Sequence, residues 1–295
     1  MKTPIFTGSA AALATPFDPS GALDLEALDR LIRRQLESGT RALVVCATTG
    51  ECATLSDGEW ELVLRRAVTL CQGKIPVIAG AGRNSTQKTV ELCRRAGELG
   101  ADGVLLVTPY YNKTTQAGLY AYFTRIADES ALPVMLYNVP ARTGLNMLPE
   151  TCERLAHHPG MIGVKEAADD LGQLARLTAL TPLPVYCGSD QWMAPALRLG
   201  ACGVISVLSN LCPEAVRILC QSQQKGCEQS AAAQQRHLAA LTDALFCEVN
   251  PSPVKYALSL LGLCRAEVRL PLVPLQPGSR ERLQSLLARH GLLPA

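Results

Sequence analysis

The 295-residue chain predicts an α/β fold, a (β/α)8 barrel followed by a C-terminal helical appendage. Three observations predict it. Short runs rich in Val, Ile and Leu recur eight times at spacings of roughly 20 to 35 residues, with an amphipathic helical pattern in most intervals. These runs are apolar at consecutive positions, which suits strands buried on both faces. A glycine or a proline stands where each intervening helix must stop. Eight such units in about 220 residues match the arithmetic of a closed parallel barrel.

The first strand is read in "SAAALATPF". Its small residues resemble a signal-peptide cleavage region, but Pro4, Thr7, Gly8 and Ser9 break the apolar stretch, so a strand is the better reading. Strands two, three and four follow in "QLESGTRALVVCA", "TLCQGKIPVIAG" and "GELGADGVLLVTP", strand five in "LPVMLYN". Strands six to eight follow in "LAHHPGMIGVK", "LPVYCG" and "RLGACGVISV". Gly39, Gly73, Gly100, Gly160 and Gly200 suit the left-handed position after a helix, where the missing Cβ removes the steric cost. A doubly wound open sheet is the rival, because Gly80-x-Gly82 follows a strand. That motif lacks its third glycine, and no acidic residue ends "GVLLV", so the dinucleotide fingerprint fails. After "NLCPEAVRILC" the strand pattern ceases, and "SAAAQQRHLAALTDALF", "SPVKYALSLLG" and "SRERLQSLLARHG" read as helices. The division is therefore residues 1–225 for the barrel and 226–295 for the helical region, with no flexible linker.

Composition excludes several function classes. Hydrophobic residues make up 48% and charged residues 18%, so the chain can bury a large core. With 28 basic and 26 acidic residues there is no broad basic field. The pairs Arg33-Arg34, Arg65-Arg66 and Arg94-Arg95 fall on helical patterns and read as solvated faces, which weighs against nucleic acid as a partner. No apolar run reaches membrane-spanning length. None of the 12 cysteines is spaced C-x-x-C, and His157-His158 after Cys152 lacks a second ligand pair. The reading is reduced, mostly buried thiols in a cytoplasmic protein without a metal site.

In such a barrel the chemistry sits at the C-terminal ends of the strands. Strand two ends in "ATTGE" (Thr48, Thr49, Glu51), strand four in "TPYYNK" (Tyr110, Tyr111) and strand five in "YNVPARTG" (Tyr137, Arg142). Strand six ends in Lys165, strand seven in Gly188, and strand eight in "ISVLSN". The only carboxylates nearby are Glu51 and Glu166. A glycosidase needs two carboxylates across its substrate, and a metal hydrolase needs histidines at strand ends. An amine, phenols and one guanidinium suit carbonyl chemistry instead: an iminium, proton movement and a held carboxylate. Each has an ordinary alternative: Lys165 reaching water from a strand end, tyrosines packing with wet hydroxyls, Thr48-Thr49 as turn residues, Arg142 in a surface ion pair. Convergence on one rim favours the chemical reading.

"TTGE", "TPYYNK", "LYNVPARTG", "GVKEA", "GVISV" and "NPSPVKYAL", in this order, resemble the dihydrodipicolinate synthase family, within the pyruvate-dependent class I aldolases. The resemblance covers essentially the whole chain. It implies that Lys165 forms a Schiff base with the keto carbon of pyruvate, with no separate cofactor. It implies a proton relay of Tyr137, Thr48 and Tyr111, the last reaching in from a neighbouring subunit. Thr49 would hold the pyruvate carboxylate, Gly188 and Ile205 would shape the pocket, and Arg142 would bind the carboxylate of aspartate semialdehyde. A homotetramer built as a dimer of dimers is implied as well. Two departures, Ala47 before the threonines and "SVLSN" after strand eight, are expected to adjust packing. At the family's effector site Asn84 and Tyr110 match, whereas Asp57, Trp60 and Lys88 replace the residues of lysine-inhibited members. Lys88 would repel an incoming lysine ammonium, so weak or absent feedback inhibition is expected. Two rivals stay open: a pyruvate aldolase for a sugar acid or sialic acid, and a homologue that has lost catalysis.

Overall fold

The structure is a computed structural model and describes residues 2–293. Its eight strands follow the eight apolar runs: β1 (Gly8–Ala12), β2 (Ala42–Val45), β3 (Val77–Gly80) and β4 (Gly103–Val107), then β5 (Val134–Asn138), β6 (Met161–Glu166), β7 (Val185–Cys187) and β8 (Gly203–Ser206). Each pairs in parallel with the next, and β8 pairs with β1, with Gly8 opposite Gly203 and Ala10 opposite Ile205. The barrel is closed, and the open doubly wound sheet is excluded.

Helices fill the intervals because their ends are chemically specified. Asp24 accepts from the Ala27 N–H, Ser85 from Lys88, Thr115 from Gly118, and Asp170 from Gly172 and Gln173. Ser56 and Glu59 cap the helix Asp57–Cys71 reciprocally. Gly39, Gly73, Gly100 and Gly200 adopt positive φ as expected, but Gly160 does not. The helix before it ends at Ala156, and the turn beyond is closed by the Gly160 N–H donating to His158 Nδ1, so 160 needs no left-handed residue.

Two apolar layers hold the barrel. Its interior packs small and large residues together, among them Ala10, Ala12, Val44, Met135, Tyr186 and Ile205. The outward faces pack beneath the helices. At the N-terminal end Phe6 stacks on Tyr186, with ring centroids 4.5 Å apart, and the Tyr186 hydroxyl donates to the Phe6 carbonyl. The Gly80-x-Gly82 pair is explained here without any nucleotide. A Cβ at Gly80 would stand 2.2 Å from the Cys46 oxygen, and one at Gly82 2.5 Å from the Val107 nitrogen.

The helix Pro213–Gln224 completes the barrel, and beyond it lie the helices Glu228–Leu245, Ser252–Leu260 and Pro277–Arg289. Most of the arginine pairs occupy outer faces, as with Arg66–Asp29 and Arg94–Glu129. Arg34 departs from that expectation: half-buried, it donates to the carbonyls of Asn210 and Leu211 at 2.7 and 2.8 Å, tying the first helix to the exit of β8. All 12 cysteines are free thiols. Burial pushes several up, Cys71 to about 11 and Cys187 to about 12. Among the described residues no helix is long and apolar enough to cross a membrane.

Candidate active site

Strand alternation decides where the end of β6 points. Tyr137 on β5, Lys165 on β6 and Tyr186 on β7 stand side by side in register, and both tyrosines belong to the interior layer. Lys165 therefore enters the barrel, while Glu166 faces the helices. Lys165 is only 5% exposed, and its Nζ lies 4.3 Å from the centroid of the Tyr137 ring. The other buried lysine, Lys255, is ion-paired: its Nζ is 2.7 Å from Glu51 and 4.1 Å from the Phe17 ring centroid. Lys165 has no such pair among the described residues.

The amine faces a cavity of about 520 Å³ at the C-terminal end of the barrel. Lys165, Tyr137, Thr48, Thr49, Arg142 and Gly188, expected from the sequence, meet on its walls. Gly188 is required by closeness: a Cβ there would lie 2.8 Å from Lys165 Cε. Ile205 is fully buried in the interior layer and supports the site without lining the cavity. Tyr111 stands outside it, 93% exposed at φ +70°.

The turn after β2 is tightly built. The Glu51 N–H donates to the Thr48 carbonyl and the Cys52 N–H to Ala47. Cys46 and Glu51 both adopt positive φ, an uncommon conformation for such residues that the surroundings must hold. Glu51 is held from the C-terminal region, by Lys255 and by the Arg269 N–H at 3.0 Å. Arg269 in turn donates to Thr54 and Glu59, and its guanidinium lies over the Phe17 ring, 4.1 Å from the centroid. This bracing buries Thr49 and leaves Thr48 half-buried at the cavity. Arg142 is exposed in the short helix Pro140–Thr143 and donates to the Asn250 carbonyl at 3.3 Å.

The two strand-end carboxylates do not line the cavity. Glu51 serves the turn just described. Glu166 accepts from Asn138, Gln173 and the Ala168 N–H, and burial raises its carboxyl to about 6 against those bonds. Sequence reasoning missed Asp190 and the wall formed by Phe246 to Asn250. Asp190 Oδ2 accepts from the N–H groups of Val207 and Leu208; burial raises its carboxyl, and the Lys165 charge opposes that rise. Its only signal was an acidic residue two places after Gly188. The wall's only signal was the "NPSP" that follows.

At the effector positions, Lys88 pairs with Asp57 at 2.6 Å. Trp60 is fully buried, its indole N–H donating to the Gly80 carbonyl at 3.0 Å, so it is a core residue rather than one open to an effector. The Asn84 carbonyl accepts from Asn112, and Tyr110 is half-buried.

A family model described as the dihydrodipicolinate synthetase family matches residues 5–290. A 4-hydroxy-tetrahydrodipicolinate synthase from an Exiguobacterium species is 47% identical, over 96% of this chain and 97% of the relative. The solved dihydrodipicolinate synthase of Thermotoga maritima superposes with a TM-score of 0.96 at 45% identity, covering 98% of this chain and 100% of that one. The chloride-inhibited dihydrodipicolinate synthase of Acinetobacter baumannii, solved with pyruvate, gives 0.95 at 42% identity over 97% and 99%. A buried lysine at the mouth of a closed barrel, and likeness along nearly the whole length, lead to one assignment: the chain belongs to the dihydrodipicolinate synthetase family.

Proposed function

We propose that the chain is a lyase that condenses pyruvate with L-aspartate 4-semialdehyde to give 4-hydroxy-tetrahydrodipicolinate, in lysine and diaminopimelate biosynthesis. The observation that carries this reading is Lys165, buried with no ion pair among the described residues beside Tyr137, with Thr48, Thr49 and Arg142 around the same cavity. The Lys165 amine attacks the keto carbon of pyruvate, the carbinolamine loses water, and the iminium is the electron sink, so no separate cofactor is required. Thr49 receives the pyruvate carboxylate. A methyl proton leaves, the enamine carbon attacks the aldehyde carbon, and the aldehyde oxygen takes a proton to become a hydroxyl. Water or the product's own amino group then displaces Lys165.

Protons move along Tyr137, Thr48 and Tyr111. A lone phenol, with a pKa near 10, is a poor shuttle, and a hydrogen-bonded chain is a better one. The full exposure of Tyr111 supports its delivery to the cavity of a neighbouring subunit, in a homotetramer made of two dimers. Gly188 and Ile205 shape the pocket, and Arg142 at the mouth selects a short aldehyde bearing a carboxylate. Residues 1–225 supply the catalytic barrel and 226–295 the helical region that walls it, in a cytoplasmic enzyme. The Asp57–Lys88 pair supports weak or absent inhibition by lysine.

Incubation with pyruvate and aspartate semialdehyde, followed by mass spectrometry, should yield the condensation product, whereas sugar aldehydes of sialic-acid type should not turn over. Turnover confined to sugar aldehydes would overturn the reading.

A further inference from the structure

We propose that Asn250, on the C-terminal helical region, is a positioning residue whose side chain sets the Thr49 hydroxyl while its main chain holds Arg142, an inference that rests on the roles given to Thr49 and Arg142. Asn250 is 5% exposed and lines the cavity. Its Nδ2 donates to Thr49 Oγ1 at 3.0 Å, and its main-chain carbonyl accepts from Arg142 Nη2 at 3.3 Å. One residue thus touches two groups that arrive on separate loops, one after β2 and one after β5.

Proton accounting gives the contact its consequence. A threonine hydroxyl has one proton and two lone pairs. When Asn250 donates to Oγ1, that proton is not spent on Asn250, and it is free for an acceptor inside the cavity, where a substrate carboxylate supplies one. The reverse amide orientation would consume the Thr49 proton and leave both amide N–H groups of Asn250 without a partner. Buried orphan donors are rarer and costlier than an orphan carbonyl, and Oδ1 of Asn250 is the atom without a partner among the described residues. The same residue restrains one arm of the Arg142 guanidinium, leaving its other N–H groups for two-point contact with a carboxylate. Closing the site is therefore work done by the appendage, not by the barrel alone.

The test is a double-mutant cycle between Asn250→Ala and Thr49→Val in the full chain, read as the pyruvate concentration that half-saturates borohydride-trapped adduct on Lys165. Steady-state KM and kcat for both substrates are measured alongside. Asn250→Ala should raise pyruvate half-saturation about tenfold, the worth of one hydrogen bond to a charged group, with a smaller change in kcat and little change in KM for the semialdehyde, because the main-chain carbonyl that holds Arg142 remains. In the Thr49→Val background it should leave pyruvate half-saturation unchanged. Asn250→Ser, too short to reach Thr49, should repeat the result and replaces the alanine variant if that one does not fold. Wild-type saturation in a folded Asn250 variant, or an undiminished effect in the Thr49→Val background, would overturn the inference alone. A Thr49→Val protein that saturates like wild type would instead overturn the role of Thr49, and the inference with it.

Discussion

Gly188→Ala isolates the placement of the Lys165 amine. The added Cβ would stand 2.8 Å from Lys165 Cε, 2.9 Å from Ala167 Cβ and 3.1 Å from the Glu166 carbonyl oxygen. Carbon atoms rest at roughly 3.5 to 4.0 Å, so Cε must retreat by about 1 Å. The lysine can swing because its far end faces the cavity, whereas Ala167 and the Glu166 carbonyl belong to the strand end and its continuation. The fold should survive with an overpacking cost of about 1–3 kcal/mol, seen as a fall in Tm of roughly 2 to 10 °C. The chemistry should suffer far more, because a displacement of about 1 Å in a reacting group costs on the order of 100-fold in rate. Rapid-quench borohydride trapping at saturating pyruvate measures adduct formation directly, and calorimetry on the same sample establishes folding. A folded Gly188→Ala protein that forms adduct at the wild-type rate would refute the reasoning, since the amine would then not depend on the position this structure gives it.

Lys255→Met leaves the Glu51 carboxylate buried without its cation and should cost about 3–5 kcal/mol in urea unfolding, with much of the loss recovered in Lys255→Met/Glu51→Leu; a single variant as stable as wild type would contradict the bracing role. Glu166 titrates near 6 in the folded protein against 4.5 for an ordinary glutamate. The folded state therefore holds that proton more tightly than the unfolded chain, and the stabilisation it gives below about pH 4.5 is lost as pH rises towards 6. Relative to the non-titrating Glu166→Gln, wild-type stability should fall by roughly 2 kcal/mol across that window, and a pH-independent difference would exclude the shift. Lysine at about 1 mM should leave the condensation rate nearly unchanged, because Lys88 opposes a second ammonium; strong inhibition would show that the Asp57–Lys88 pair yields to the effector.

The barrel was legible because buried parallel strands write themselves as consecutive apolar residues, and Lys165 was legible because it interrupts that rule at a strand end. Tyr137 followed from the same rim, and the register across β5 and β6 puts it beside the lysine. What the sequence hid were contacts made through space. Gly80 and Gly82 fail the dinucleotide pattern in sequence, but that they answer to the backbones of neighbouring strands shows only in the folded barrel. Arg34 suggested a solvated face, yet two carbonyls some 180 residues away take its guanidinium. Asn250 opens a recognisable "NPSP" and Asp190 stands two places after Gly188, but neither pattern places its side chain, since each acquires its contacts only when distant loops converge. Trp60 is different: it shares a helical face with Val63, Leu64, Ala67 and Cys71, so the 3.6-residue period already marked it as core.

The central claim is that Lys165 is the nucleophile, and its most direct test is to incubate the protein with pyruvate, reduce with borohydride and map the adduct by peptide mass spectrometry. The account predicts a stable adduct on the Lys165 peptide alone, absent from a folded Lys165→Ala protein that no longer condenses. No adduct, an adduct on Lys255, or retained turnover in Lys165→Ala would contradict it.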